Sequence, residues 1–206
     1  MTMIASRDRI QLTAAAYLDW EAQQPIKYEY LNGEAYAMTG GTLAHNDIAV
    51  NLTTLLKNYL RGKPCKVRMA DAKVGVTEQG PFFYPDVLVT CDRRDRTAKT
   101  IVQHPCLIIE VLSPGTEGYD RGEKFKHYRK LESLQEYVLV SSVNQNVEIY
   151  RLNAQNKWEL TPYSADEVGT SRPVEFTSLD FQGAIADIYE DVEFVPESSD
   201  SMTEIL

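Results

Sequence analysis

The run from Cys106 to Leu112 is apolar at every position but one. A short run rich in Leu, Ile and Val reads as a buried strand. Such a strand needs neighbours on both sides and cover above it, which confines the chain to a sheet with helices packed on it. The exception is Glu110. An ionised carboxylate is costly in such a place unless a cation or several donors meet it. A second carboxylate, Asp86, heads another apolar run, Pro85 to Val89.

The remaining pattern agrees with a mixed sheet. Leu12 to Gln23 reads as a short helix with Thr13 as its cap, stopped by Pro25. Tyr28–Leu31 and Glu34–Met38 flank Asn32-Gly33, a hairpin signal because both turn residues tolerate positive φ. From Leu43 to Arg61 the period changes. Ile48, Leu52, Leu55, Leu56 and Tyr59 recur at helical spacing, and Gly62 and Pro64 close the helix. Strands are expected at Lys66–Met69 and Lys73–Val76, then through Phe82 to Val89 and across the Glu110 run. A polar loop, Asp92 to Lys99, separates the last two. A helix follows from about Glu117 to Glu132, then paired strands Glu136–Val140 and Asn146–Leu152, a strand Trp158–Tyr163 and a short helix Leu179–Tyr189. The expectation is one α/β domain over residues 1–195, with 196–206 an acidic, disordered tail.

The chain has 206 residues, 43% of them hydrophobic, enough for a real core. Met1 to Arg9 is polar and unlike a signal peptide, and no apolar stretch approaches the roughly 20 residues that cross a bilayer. Cys65, Cys91 and Cys106 lie far apart, without zinc or redox spacing, and read as small buried hydrophobes in a reducing compartment. The expected location is cytoplasmic, with no membrane partner. A net charge of −9 argues against tight non-specific binding to nucleic acid. The cations nevertheless cluster, at Lys57–Arg68, at Arg93–Lys99 and at Arg121–Lys130. Solvated faces would give similar clusters.

Asp86, Glu110 and a following helical lysine, Lys124, are the parts of a magnesium-dependent phosphodiesterase. Hydrolysis of a phosphodiester needs an activated water, charge neutralisation and a stabilised leaving oxygen, and Mg²⁺ helps with all three. Magnesium takes hard oxygen ligands and keeps several waters, so two carboxylates suffice. Asp86 and Glu110 would supply them if their strands are neighbours, with the backbone carbonyl of Val111 completing the protein's share. A lysine near the metal water would orient or deprotonate it. Mn²⁺ would substitute for Mg²⁺.

The ordered set Pro85-Asp86, Glu110-Val111-Leu112-Ser113-Pro114, and Asp120, Lys124 and Tyr128 resembles the Uma-two family, of the PD-(D/E)XK nuclease superfamily. Tyr28-Glu29, Gly33-Glu34 and His45 are similar to that family's N-terminal pattern, and the resemblance spans roughly residues 12 to 190. It implies a restriction-endonuclease-like core, metal-dependent cleavage of DNA, and a site of Asp86, Glu110 and Lys124. One position departs from the superfamily pattern. Leu112 stands where the E-x-K element has lysine, so the lysine would come from the next helix, at Lys124. Asp120, Lys124 and Tyr128 share one helix face, with His127 at its edge. Accessory candidates are Glu34, Glu29, His45, Asp120 and Tyr128, with Glu34 favoured over Glu29.

Each residue also has an ordinary explanation. Asp after Pro is common in turns, Asp120–Lys124 is a standard surface pair, and a lone histidine near a helix start is more often structural. Glu110 could hold an ion pair with an arginine. The alternative function is therefore a catalytically inactive nuclease fold that binds nucleic acid or protein. A two-fold homodimer would suit cleavage of both DNA strands.

Overall fold

The computed structural model describes residues 11–165 and 172–194. Helix α1 spans Ala14–Glu21, and Thr13 caps it by accepting from the Ala16 N–H. Strands β1 (Tyr28–Leu31) and β2 (Glu34–Ala37) form the expected hairpin. Asn32 and Gly33 both take positive φ, 52° and 89°. Helix α2, Leu43–Tyr59, buries Ile48, Leu52 and Leu56, and Gly62 turns the chain at φ 82°. Nine strands follow in the core region: β3 (Lys66–Met69), β4 (Lys73–Gly75), β5 (Phe82–Phe83), β6 (Val87–Thr90), β7 (Ile101–Val102), β8 (Leu107–Leu112), β9 (Glu136–Ser141), β10 (Asn146–Leu152) and β11 (Trp158–Ser164). A short hairpin of β12 (Val174–Phe176) and β13 (Phe181–Gly183) closes the set.

Two sheets carry the architecture. One has six strands in the order β11-β10-β9-β8-β6-β3, and the other has five, β2-β1-β5-β4-β7. Strands β8 and β9 are parallel, so a helical crossover must join them. That crossover is α3 (Glu117–Tyr119), a π-helix (Asp120–Lys124) and α4 (Phe125–Tyr128). Alternation along β8 divides its side chains. Leu107, Ile109 and Val111 pack under α2, while Ile108 and Leu112 face Tyr128, Tyr137 and the five-stranded sheet. Glu110 shares the parity of Ile108 and Leu112, so it points between the sheets.

Four expectations change. The run Phe82 to Val89 is two strands in different sheets, with Pro85-Asp86 at the switch, where proline has no N–H to give a ladder. The segment Leu179–Tyr189 holds β13 and only a four-residue helix α5, Ile185–Ile188, because Phe181 pairs with Phe176. The crossover helix ends at Tyr128 rather than Glu132. The cysteines are not all free: Cys65 and Cys91 form a disulfide, while buried Cys106 stays a thiol with its Sγ 3.8 Å from that of Cys91. The register explains it. Lys66 pairs with Thr90, so the next pair outward brings Cys65 and Cys91 together. Burial pushes the Cys106 thiol up to about 11, so it is a poor nucleophile against its neighbour. The segment 196–206 lies outside the described residues, and no described helix is long and apolar enough to cross a membrane.

The cross-link gives a first prediction. Reduction should lower the unfolding free energy by about 2–4 kcal/mol, as expected for a loop of this size. Urea melts with and without reductant, beside a thiol count under denaturing conditions, check it. Three titratable thiols and an unchanged midpoint would remove the bond from the account.

Candidate active site

The pairing of Val87 with Ile109 sets Asp86 and Glu110 opposite each other on adjacent antiparallel strands. Asp86 Oδ2 accepts the Val111 N–H at 2.7 Å, so the side chain takes a bond that a ladder carbonyl would otherwise make. The same oxygen lies 3.3 Å from His45 Nε2, delivered by the first turn of α2. Burial works against charge on that imidazole, but hydrogen bonding to Asp86 and to the Val111 backbone outweighs it, and the His45 pKa rises.

Lys124 comes from the π-helix, whose wider turn is frequent at functional sites. Its Nζ lies 3.3 Å from Glu110 Oε1, 3.1 Å from Glu29 Oε1 and 3.2 Å from Asp120 Oδ1. The Tyr128 hydroxyl donates to Glu110 Oε1 at 3.2 Å, and the Tyr137 hydroxyl holds the Asp120 carbonyl at 2.9 Å. Glu29 also accepts the Tyr84 N–H at 3.1 Å, two residues before Asp86. All four charged groups of this inner cluster are more than nine-tenths buried.

Three carboxylates thus face one lysine, with Asp86 and His45 paired beside them. Burial raises the pKa of Glu29, Glu110 and Asp120; Lys124 pulls each down without fully compensating, and for Glu110 the neighbouring acids add to the rise. Burial also opposes charge on Lys124, but Glu110, Glu29 and Asp120 outweigh it and hold the ammonium protonated. Among the described residues the site therefore holds more carboxyl groups than cations.

The structure brings together Asp86, Glu110, Lys124, Glu29, Asp120, His45 and Tyr128. It does not bring Glu34 to Lys124. Across the hairpin Glu29 faces Tyr36, while Glu34 faces Leu31, two register positions nearer the turn. Glu34 bonds Gln11 Nε2 at 3.2 Å and the Tyr36 hydroxyl at 2.7 Å instead. His127 turns to Glu123 at 3.0 Å. Two contributors had no sequence signal: the Tyr84 backbone N–H, and the Thr116 hydroxyl bonded to the Asp120 carboxylate. Among the described residues no three His, Cys, Asp or Glu side chains form a ready metal cage. Hydrogen bonds and ion pairs fall on Oδ2 of Asp86 and Oε1 of Glu110.

A mixed sheet flanked by helices, with two acids on adjacent central strands and a lysine from the following crossover, defines a restriction-endonuclease-like α/β protein. The chain belongs to the Uma2 family, described as "Putative restriction endonuclease", whose model matches residues 14–185. It is 39% identical over 184 residues to the uncharacterized protein slr1290 of Synechocystis sp. (strain ATCC 27184 / PCC 6803 / Kazusa), covering 89% of this chain and 94% of that one. A second Synechocystis protein, the uncharacterized sll1609, is 33% identical over 179 residues, covering 86% and 98%. The fold matches a crystal structure titled as a putative nuclease belonging to DUF820 from Anabaena variabilis ATCC 29413. The TM-score is 0.69 at 16% identity, over 86% of this chain and 97% of that one.

Proposed function

We propose that this protein is a metal-dependent endonuclease that hydrolyses DNA phosphodiester bonds. The observation that carries the reading is the surplus of buried carboxyl groups around one lysine, together with Asp86 set opposite Glu110 by the pairing of Val87 with Ile109. Such a charge imbalance is expensive in a protein interior and is kept where a cation is to be bound. The donor chemistry fits a hard divalent ion, Mg²⁺ or Mn²⁺. Asp86 and Glu110 would hold it, each with one oxygen committed to protein donors, and the Val111 carbonyl would complete the protein's share. When bound, the ion supplies Lewis acidity toward the phosphate and toward its own water.

The chain's residues do the rest. Tyr128 and Lys124 fix the orientation of Glu110 through Oε1. His45 and the Val111 N–H fix Asp86 through Oδ2. Lys124 holds its proton, so at the phosphate it acts as a fixed positive charge rather than as a base. Glu29 and Asp120 position the ammonium from either side.

One observation favours the second reading, a silent nuclease fold kept for nucleic-acid or protein binding. Three carboxylates surround Lys124 Nζ, which matches the number of its N–H donors and leaves none for a phosphate. Supercoiled plasmid incubated with Mg²⁺, Mn²⁺ or EDTA separates the two. Nicking with either metal and none with EDTA is expected. Intact plasmid under all conditions, together with no heat of Mg²⁺ or Mn²⁺ binding, would leave only the silent reading. A two-fold dimer would serve both strands, and sedimentation with duplex bound would test it.

A further inference from the structure

The net charge of −9 makes the placement of the cations informative. Most buried or half-buried cations are paired: Lys73 with Glu21, Arg121 with Glu117 and Glu148, Arg151 with Glu136. On one side of the molecule most are not, Arg94 with its partner Asp92 being the exception. Two clusters far apart in sequence, around Lys66 and around Arg96, become neighbours because β3 pairs with β6. Arg96 Nη2 reaches the Pro64 carbonyl at 3.4 Å and ties the second cluster onto the first. Arg61, Lys63, Lys66, Arg93, Arg96 and Lys99 are exposed there, and none has a carboxylate partner among the described residues. Like charges gathered in excess repel one another, so fold stability does not account for the six that have no carboxylate partner.

Arg68 connects this surface to the site. Val67 and Met69 pack toward the α2 core, so Lys66 and Arg68 occupy the other face of β3. Arg68 pairs with Leu88, which pairs with Ile108, and Ile108 stands two residues before Glu110 on the same face of β8. Two residues of strand are about 7 Å and two strand spacings about 10 Å, so the backbones of Arg68 and Glu110 lie roughly 12 Å apart. The end of β3 is held to the site itself, since the Ala70 N–H donates to the Asp86 carbonyl at 3.1 Å. Arg68 and Lys99 border a cavity of about 360 Å³ between β3 and β7, the edge strands of the two sheets; its one acid, Asp71, is paired with Lys27. Arg68 Nε is buried and has no hydrogen-bond partner among the described residues. Arg68 as a whole is half-buried and borders the cavity, so a ligand oxygen there would meet a cation that has no carboxylate partner among the described residues. A planar guanidinium suits the paired oxygens of a phosphate.

We infer that this surface is the track for the phosphodiester backbone of duplex DNA, with Arg68 and Lys99 taking one phosphate in the cavity beside the site. The choice of DNA rests on the nuclease reading. The test is binding of a fluorescein-labelled duplex by anisotropy in Ca²⁺, over a series of KCl concentrations. Wild type is compared with R68Q, with K66Q/R68Q and with R93Q/R96Q, the last pair lying in solvent where folding is not at stake. Hydrolysis of bis(p-nitrophenyl) phosphate in Mn²⁺ is measured beside it. The slope of log affinity against log salt should fall by about 0.9 for each phosphate contact removed. Small-ester hydrolysis by wild type reports on the site separately from the track. An unchanged slope in R93Q/R96Q, or no duplex binding by wild type at low salt, overturns the track. An unchanged slope in R68Q alone overturns the cavity's part in it. Reduced slopes in a protein that hydrolyses neither plasmid nor ester would uphold the surface and remove the nuclease reading. Ester hydrolysis with unchanged slopes would do the reverse.

Discussion

Glu110→Gln should abolish metal-dependent cleavage, by at least about a hundredfold, while leaving the protein at least as stable as wild type in metal-free buffer. The two halves of that expectation have one cause. The carboxylate is buried on a β8 face otherwise occupied by Ile108 and Leu112, and burial and the neighbouring acids raise its pKa well above the ordinary range. An ionised Glu110 therefore costs folding free energy that a neutral amide of the same shape does not. The amide retains an oxygen for Tyr128 and Lys124, and Lys124 keeps Glu29 and Asp120. Cleavage on supercoiled plasmid and denaturant midpoints on the same two preparations decide the matter. Cleavage at the wild-type rate would end the proposal for the site. Loss of cleavage with a midpoint several kcal/mol lower would make Glu110 a structural residue instead.

Lys124→Met should be the most destabilising single change in the site. It leaves Glu29, Glu110 and Asp120 buried around an apolar side chain, and breaking a buried pair in this way costs about 3–5 kcal/mol. The loss should depend on pH with a definite sign. Lys124 lowers the pKa of all three acids, so without it their folded-state values rise further. An acid with a raised folded pKa binds more protons folded than unfolded, and stability then falls as pH rises. The deficit should be largest near pH 8 and shrink near pH 5, where the carboxyls take up protons instead. Glu110→Gln in the same chain should recover part of it, because the two groups are in contact. Urea unfolding at both pH values measures the effect. An equal deficit at the two pH values would mean that lost packing, not unpaired charge, is what the lysine prevents.

Local sequence carried the elements that depend on near neighbours. Asn32-Gly33 made the hairpin, the period of Ile48, Leu52 and Leu56 made α2, and the β8 run exposed Glu110 as a polar residue in an apolar strand. Features that depend on which strands meet were not legible. Pro85 marks a break in Phe82 to Val89, but nothing local shows that β5 and β6 enter different sheets. Glu29 and Glu34 are both hairpin acids, and only the register with Tyr36 and Leu31 separates the one that reaches Lys124 from the one that does not. Cys65 and Cys91 look unrelated until Lys66 pairs with Thr90.

Sequence by itself thus determined the strand that must be buried, the carboxylate that it must bury, and the helix spacing that aligns Asp120, Lys124 and Tyr128. Tertiary structure alone decided that Asp86 stands opposite Glu110, that Glu29 joins them, and that two distant basic segments share one surface. The reason is that side-chain periodicity is set by a few adjacent residues, whereas register and sheet order are set by contacts between segments far apart in the chain, and a slip of one residue would turn each of these groups to the other face.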